Sequence, residues 1–258
     1  MIKTLVQISD THLMDTPEKV FIEMNPEYTF HRIMHDICQR HDVIDSIIHT
    51  GDVAQIASPE TYHRYLKYMQ TLDIPFYQTP GNHDNLTHFP YPQQQKVTVI
   101  DLEQWCIVLL CSAVTGQTDG HIDDEQLTLL EGILQQQQDK HIILGCHHHP
   151  LHIDSDWIDQ HCLKNTRDFS KIIEKHHNIK AIIHGHIHQE AQVNFGNIMV
   201  LSVPSTCVQF KPKSKDFALD EAAPGYRVLK LHDNGHLETE IYRVYDAQTE
   251  INPHFSGY

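Results

Sequence analysis

The chain has 258 residues, and 19 Lys and Arg against 34 Asp and Glu give it a formal net charge of −15. A field of that sign repels phosphate backbones and anionic lipids, so neither a nucleic-acid polymer nor a membrane surface is an expected partner. The longest apolar run, Trp105 to Cys111, is far shorter than the roughly 18 residues of a spanning helix, and six cysteines without a Cys-x-x-Cys pair favour a cytoplasmic protein without disulfides.

Alternating strands and helices are predicted over the first part of the chain. Apolar and β-branched runs predict six strands, at residues 4–8, 45–49, 76–79, 106–111, 142–146 and 181–184. Apolar residues spaced i, i+3 and i+4 predict four helical faces, at residues 30–38, 62–69, 127–134 and 169–173. Such alternation is typical of α/β folds in which helices cover a sheet.

After residue 185 the pattern changes to strands alone, predicted at residues 191–195, 198–203, 227–231 and 237–244. We expect these strands to form a second sheet that packs on the first one, without a separate domain. The sequence therefore predicts one domain over residues 1–258, in which the last ~50 residues complete the second sheet.

Histidine is unusually abundant, with 23 residues along the chain, and five short segments place metal-binding side chains directly after predicted strands. Strand ends of an α/β sheet meet at one crevice, and side chains at i and i+2 of an extended chain point the same way. We therefore expect these side chains to converge. The segments are Asp10-Thr11-His12, Gly51-Asp52, Gly81-Asn82-His83-Asp84, His147-His148-His149 and Gly185-His186-Ile187-His188.

Together and in this order, the five segments resemble the pattern of the calcineurin-like metallophosphoesterase superfamily: Asp-x-His, Gly-Asp, Gly-Asn-His-Asp, His-x-Pro and Gly-His-x-His. The resemblance implies an α/β fold, a four-layer α/β/β/α sandwich with two packed mixed sheets. It also implies two divalent metal ions that share Asp52. The first ion would be held by Asp10, His12, Asp52 and His188. The second would be held by Asp52, Asn82, His148 and His186.

The resemblance also assigns roles within these segments. His148 is chosen from the histidine triplet because the family ligand stands two residues before the proline. His83 has no metal to bind, so we expect it to stabilise the transition state and protonate the leaving alkoxide, with Asp84 fixing its tautomer. The ligand types suit Fe, Mn or Zn, and the resemblance favours Fe or Mn.

Further segments, at residues 157–161, 185–190, 204–212 and 223–227, resemble the bacterial class III cyclic-nucleotide phosphodiesterases. This resemblance covers nearly the whole chain. It implies hydrolysis of 3′,5′-cyclic AMP to 5′-AMP by in-line attack of a metal-bridging hydroxide, which lowers cyclic AMP signalling. The substrate would contact the catalytic and metal-binding side chains, and two aromatic rings are candidates for stacking on adenine. The expected contacts are His12, Asn82, His83, His188, Trp157 and Phe210.

Two other functions stay open at this point. The same site could hydrolyse another small diester, such as a glycerophosphodiester or a range of aryl diesters. In a different class, the protein could be a non-catalytic metal-binding regulator that keeps the fold. The complete ligand pattern together with His83 argues against the second alternative. The sequence does not predict the oligomeric state.

Overall fold

The computed structural model describes residues 1–92, 95–247 and 255. The remaining residues of the predicted domain, including most of 248–258, lie outside the described residues. The α-helices are α1 (Pro26–Arg40), α2 (Pro59–Gln70), α3 (Asp124–Gln136) and α4 (Thr166–Ile173). The strands are β1 (Ile2–Ile8), β2 (Ser46–His49), β3 (Phe76–Gln78), β4 (Thr98–Leu102), β5 (Trp105–Leu109), β6 (His141–Gly145), β7 (Ile179–His184), β8 (Gln192–Phe195), β9 (Ile198–Ser202), β10 (Gln209–Phe210), β11 (Leu219–Asp220), β12 (Gly225–His232) and β13 (Leu237–Arg243).

Capping side chains begin three of the helices. Asn25, Ser58 and Asp123 each accept a hydrogen bond from the backbone N–H three residues further on. Pro26 and Pro59 follow two of these caps, where the fixed φ of proline suits the first helical position. The helix starts are therefore set by local sequence. Among the described helices, none combines the length and the apolar character needed to span a bilayer.

Two mixed sheets contain most of the strands. One has five strands in the order β13-β12-β1-β2-β3, and the other has six in the order β4-β5-β6-β7-β9-β8. Parallel pairing joins β1, β2 and β3 in the first sheet and β5, β6, β7 and β9 in the second. The prediction of two mixed sheets is confirmed.

The four strands predicted after residue 185 divide between these two sheets, which differs from the expectation of one C-terminal sheet, while β10 and β11 form a separate two-stranded sheet. β8 and β9 extend the six-stranded sheet, whereas β12 and β13 join the five-stranded sheet. β12 pairs antiparallel with β1, from Ile2↔His232 to Gln7↔Arg227. Because β1 already pairs with β2 along one edge, its backbone groups on the other edge need a partner, and β12 provides it.

Three apolar clusters show how the layers are stacked. α1 and α2 pack on the outer face of the five-stranded sheet, and α3 and α4 pack on the outer face of the six-stranded sheet. Between the inner faces of the two sheets lies a third cluster, which includes Leu5, Ile48, Ile107, Ile143 and Ile183. The predicted four-layer α/β/β/α sandwich is therefore confirmed.

A buried arginine links the two sheets at one edge of the sandwich. Arg227 on β12 is 3% exposed. Its Nε donates to Ser202 O on β9 at 2.8 Å, and its Nη1 donates to Thr239 Oγ1 on β13 at 2.8 Å. Burial lowers the pKa of Arg227 to about 10, and the guanidinium still stays protonated near neutral pH.

Arg227→Met should lower the free energy of unfolding by about 1–3 kcal/mol, because the buried Ser202 carbonyl loses a charged donor. Lys230→Met is the matched control, since Lys230 lies on the same strand and is exposed. It should change the stability by no more than about 0.5 kcal/mol. Urea unfolding of both variants measures the difference, and equal losses would contradict the role assigned to Arg227.

Candidate metal centre

Left-handed backbone conformations mark the turns that carry most of the predicted metal ligands. Asp10, His12, Asp52, His186 and His188 have φ values between 47° and 70°. This region is costly for residues with a Cβ atom, and it persists only where the surrounding structure imposes it. The turns after β1, β2 and β7 are therefore held in place by neighbouring residues. All three turns follow the carboxyl ends of their strands.

Backbone hydrogen bonds connect these turns to one another. Asp10 N donates to Gly51 O at 2.9 Å, and His12 N donates to Asp52 O at 3.0 Å. His186 N donates to both carboxylate oxygens of Asp10 at 3.1 Å. The three turns therefore form one hydrogen-bonded unit, and the position of each predicted ligand depends on the other turns.

The imidazole of His49, at the end of β2, hydrogen-bonds to the turn after β1 and to the turn after β2. Gly51 N–H donates to His49 Nδ1 at 3.2 Å, so the proton of the neutral ring is on Nε2, which donates to Thr11 Oγ1 at 2.6 Å. Burial lowers the pKa of His49 to about 4, which keeps the ring neutral. His49 lies inside a strand, and no sequence motif indicates that it connects the two turns.

The first group of ligand atoms comes from Asp10, His12 and His188, which lie within 4.8 Å of one another. The Nε2 atoms of the two imidazoles are 3.1 Å apart, and His188 Nε2 is 3.3 Å from Asp10 Oδ1. His12 Nδ1 donates to Gln55 Oε1 and His188 Nδ1 donates to Val208 O, both at 2.8 Å. In each ring Nε2 is therefore the nitrogen that faces the group, an arrangement typical of metal-binding histidines.

The second group surrounds the side chain of Asp52. His147 Nε2 is 3.3 Å from Asp52 Oδ2 and 3.1 Å from Asn82 Oδ1, while His147 Nδ1 donates to Thr50 O at 2.8 Å. His186 Nε2 is buried and has no hydrogen-bond partner among the described residues. A buried nitrogen without a partner is costly. The residues here fit a divalent ion, which would accept this lone pair.

The structure differs from the sequence-based choice within the histidine triplet. His148 Nε2 donates to Thr118 O at 3.3 Å, and its Nδ1 lies 2.8 Å from Ser112 Oγ. Both ring nitrogens of His148 are therefore engaged elsewhere, although the ring still lies close to His147 and His186. The imidazole that faces Asp52 belongs to His147.

The pairing of β6 with β7 explains this difference. Gly185 N, just after β7, donates to His147 O at 3.1 Å, which sets the register of the triplet against the Gly185-His186 turn. His147 Nε2 is directed at Asp52, whereas His148 Nε2 is directed at Thr118 O, so the two neighbouring rings do not present the same nitrogen to this group. The choice of the residue two positions before Pro150 uses no information about this register.

Charge in the centre is balanced within the buried cluster. Burial opposes ionisation of Asp10, but attraction by His188 lowers its pKa to about 2. Burial likewise opposes ionisation of Asp52, whose pKa is nevertheless held well below its usual range by His147 and His83. Burial lowers the pKa of His12 to about 3. These carboxylates are therefore ionised and His12 is neutral near neutral pH, the states in which they bind metal.

His147 has the opposite electrostatic environment. Burial favours its neutral form, but attraction by Asp52, the contact with its carboxylate and attraction by Asp10 together outweigh burial and raise the pKa of His147 to about 9. The structure therefore favours a positive charge in the space between His147 and Asp52. A divalent ion between these two side chains would supply this positive charge, and the nitrogen and oxygen atoms there are suitable ligands for it.

His83 lies at the open side of this cluster. Its backbone N–H donates to Asp52 Oδ1 at 2.9 Å, and its half-buried ring stands edge-on to the His12 ring at 5.1 Å. The ring is therefore next to both groups of ligand atoms, and part of it remains accessible to a molecule that enters the cleft.

Asp84 does not have the partner that the sequence analysis expects. Its carboxylate accepts hydrogen bonds from the backbone N–H groups of Val53, Ala54 and Gly81, at 2.9–3.2 Å, and from Tyr62 Oη at 3.0 Å. Four donors occupy the two oxygens, so Asp84 ties the loop after Asp52 to the Gly81 loop. It supports the position of the loop that carries His83, and it does not set the tautomer of that ring.

Phe210 and Trp157 lie beside the first group, in different environments. Phe210 is 1% exposed and stacks on the His188 ring, with centroids 3.9 Å apart. It packs on a candidate ligand, and burial leaves it no open face for a base. Trp157 is partly exposed and meets the Phe210 ring edge at 5.0 Å. Phe21, which the sequence analysis does not identify, stacks on the His12 ring at 5.0 Å.

Comparison with known proteins gives matches in both sequence and fold. The family model described as calcineurin-like phosphoesterase matches residues 3–190. The 3′,5′-cyclic adenosine monophosphate phosphodiesterase CpdA of Vibrio vulnificus is 39% identical over 98% of this chain and 94% of its own length. The protein of the same name from Pseudomonas aeruginosa is 35% identical with the same coverage. A purple acid phosphatase from yellow lupin seeds shares the fold, with a TM-score of 0.69 and 16% identity over 97% of this chain and 53% of that one.

Gly81→Ala tests how closely the Gly81 loop approaches the centre. A Cβ atom at Gly81 would lie 2.1 Å from Asp52 Oδ1, so the variant should lose about 1–3 kcal/mol of stability through overpacking. Gly132→Ala is the control: Gly132 lies inside α3 with no atom within 4 Å of an added Cβ, so the variant should gain about 0.5–1 kcal/mol. Thermal unfolding that shows equal shifts for both variants would contradict the close approach.

Proposed function

Because the chain belongs to the calcineurin-like phosphoesterase family, we propose that it is a metal-dependent phosphodiesterase that hydrolyses 3′,5′-cyclic AMP to 5′-AMP. The observation that carries this proposal is the convergence of buried carboxylate and imidazole groups that could hold metal ions, in a chain that matches cyclic AMP phosphodiesterases over nearly its whole length. The reaction class follows from the family, and the substrate follows from the relatives.

The centre has donors for two divalent ions that share Asp52. Its imidazole, carboxylate and amide groups suit Fe, Mn or Zn, and family resemblance favours Fe or Mn. The ions supply the means to lower the pKa of a water molecule and to offset the negative charge of the phosphate. One ion would be held by Asp10, His12, Asp52 and His188. The other would be held by Asp52, Asn82, His147 and His186.

The choice of His147 over His148 rests on the direction of its ring nitrogens. His147 Nδ1 donates to a backbone carbonyl, so Nε2 is the nitrogen directed at Asp52 and Asn82, and it would bind a metal ion in exchange for its proton. His148 donates from Nε2 to Thr118 O instead. A ring that already gives its Nε2 proton to a carbonyl has no lone pair on that atom for a metal.

His83 would deliver a proton to the leaving oxygen of the ribose. It stands at the open side of the cluster, close to Asp52 and His12, so a phosphate that bridges the two ligand groups would lie within its reach. The 3′-oxygen leaves as a poor alkoxide, and its expulsion benefits from a proton donor. Asp84 holds the loop of His83 in place through its four hydrogen bonds.

The rest of the substrate would be recognised by residues around this cluster. His12, Asn82, His83 and His188 would contact the phosphate and ribose through the centre, and Trp157 would offer a partly exposed indole ring near the base. Phe210 would act through His188, on whose ring it stacks. A cytoplasmic location fits the cysteines, since all six are unpaired.

Steady-state hydrolysis of cyclic AMP by metal-stripped protein, before and after addition of Fe(II), Mn(II) or Zn(II), tests the proposed activity. We expect activity only after metal addition, with 5′-AMP as the product. A panel that includes cyclic AMP, a glycerophosphodiester and an aryl diester under one metal condition separates the substrates. If cyclic AMP is the poorest substrate of the panel, the metal-dependent diesterase is right and the proposed substrate is wrong.

The two histidine variants His147→Ala and His148→Ala test the ligand register. His147→Ala should bind one metal ion fewer per chain and lose most of its activity, because it removes a nitrogen directed at Asp52. His148→Ala should keep its metal and mainly lose stability. Elemental analysis after reconstitution and gel filtration measures the metal. Loss of metal in His148→Ala alone would reverse the assignment.

His83→Ala should keep its metal content and lower kcat on cyclic AMP by about 10²- to 10⁴-fold, the range typical of general acid–base groups. A nitrophenyl diester, whose leaving group needs little protonation, should lose much less. The comparison uses one metal-loaded preparation of the variant for both substrates. Equal losses on the two substrates would assign His83 to charge stabilisation, and loss of metal would make it a structural residue.

A further inference from the structure

A second set of metal-binding side chains lies on the hairpin that joins β12 to β13. We call His232, His236 and Glu238 the hairpin cluster, and their ligand atoms all lie within 4.8 Å of one another. His232 Nε2 is 2.8 Å from Glu238 Oε1, and His236 Nε2 is 3.7 Å from the same oxygen. Two imidazole nitrogens and one carboxylate oxygen therefore meet at one point on the surface.

This cluster is remote from the candidate metal centre. His232 pairs with Ile2 at the start of β1, whereas Asp10 follows Ile8 at the other end of that strand. At about 3.3 Å per residue, the strand alone separates the two places by roughly 20 Å. The hairpin cluster therefore does not belong to the centre around Asp52.

Backbone hydrogen bonds hold the hairpin in one shape. His232 N donates to His236 O at 3.0 Å, and Gly235 N donates to His232 O at 2.9 Å. His236 N also donates to Asn234 Oδ1 at 3.0 Å. Gly235 has a φ of 84°, which glycine adopts without strain. The backbones of the two histidines are therefore fixed relative to each other before any ligand binds.

The core of the protein supports the hairpin from beneath. Trp105, which is fully buried, donates from its Nε1 to His232 O at 2.8 Å. The ring of His141 packs against Gly235, where an added Cβ would lie 2.5 Å from it. Trp105 and His141 are the first residues of β5 and β6 in the six-stranded sheet. The hairpin cluster therefore rests on a rigid base, which lowers the entropy lost when a ligand orders the side chains.

We propose that the hairpin cluster is a surface site for Zn²⁺ or a similar borderline divalent ion, separate from the dinuclear centre. Two imidazoles and one carboxylate are common Zn²⁺ ligands, and three protein ligands leave room for water in the coordination sphere. The exposed side chains of His236 and Glu238 need little desolvation. The net charge of −15 also favours a cation at the surface.

Metal identity distinguishes this site from the centre. A site with three ligands depends on the intrinsic affinity of each ion, which rises from Mn²⁺ to Zn²⁺ for nitrogen and oxygen donors. The hairpin cluster should therefore take Zn²⁺ at concentrations where it takes little Mn²⁺. The dinuclear centre has more ligands for each ion and should fill with either metal.

Zinc counting on variants of the hairpin cluster tests the proposal. Protein that starts at Met1 and carries no tag is used, because the N-terminal ammonium pairs with Asp233 beside His232 and a histidine tag binds zinc itself. After equilibrium dialysis against buffered Zn²⁺, His236→Ala and Glu238→Gln should each bind one zinc ion fewer than the unchanged chain. His63→Ala, an exposed histidine on α2, should bind as many as the unchanged chain.

A readout at the cluster itself separates this result from changes in the centre. The ring Cε1–H resonances of His232 and His236 should shift when Zn²⁺ is added. They should shift far less when the same concentration of Mg²⁺, free of contaminating Mn²⁺, is added. Equal zinc counts in the unchanged chain and His236→Ala would overturn the proposal. So would unshifted resonances of both histidines at saturating zinc, which would reduce the cluster to an imidazole–carboxylate pair. Neither outcome depends on cyclic AMP hydrolysis.

Discussion

The buried carboxylate of Asp52 is the constraint on which the rest of the centre depends. It is 1% exposed, and an ionised carboxylate at such a place is stable only beside positive charge or strong donors. The structure supplies these through His147 and the backbone N–H of His83. Gly81 leaves room for the carboxylate, since any side chain there would overlap Asp52. Loops from both sheets therefore have to meet around this one side chain.

The fold supplies this precision through the backbone. Val208 O and Thr50 O each accept an Nδ1–H from a candidate ligand, so the orientation of His188 and His147 follows from the positions of main-chain carbonyls. The left-handed turns of Asp10 and Asp52 store backbone strain that hydrogen bonds such as His49 Nε2–H to Thr11 offset. A change in strand packing would therefore move several ligands together.

Up to residue 184 the sequence predicts the four helices and every strand except β4 (Thr98–Leu102). It also predicts most of the candidate ligand types, because both depend on local patterns of apolar residues and on short motifs. It does not predict that His147 faces Asp52, since that depends on the register of β6 against β7. The partners of Asp84 and the pairing of β12 with β1 involve residues distant in the chain, which periodicity does not encode. No sequence motif marks Phe21. The residues after it, Ile22 and Glu23, have positive φ values, and in this turn the Phe21 ring stacks on His12.

The charge of the whole chain and the charge of the centre act on different length scales. With two divalent ions, four positive charges would face the two negative charges of Asp10 and Asp52, so the centre would attract an anionic diester although the chain carries −15. At physiological ionic strength charges farther than about 8–10 Å from the substrate are largely screened. Capture of the phosphate is then decided by the centre, while the surrounding negative surface disfavours polyanions, whose many phosphates must approach it at once. Under the proposed function, the same charge distribution would therefore favour a small diester over a nucleic-acid polymer.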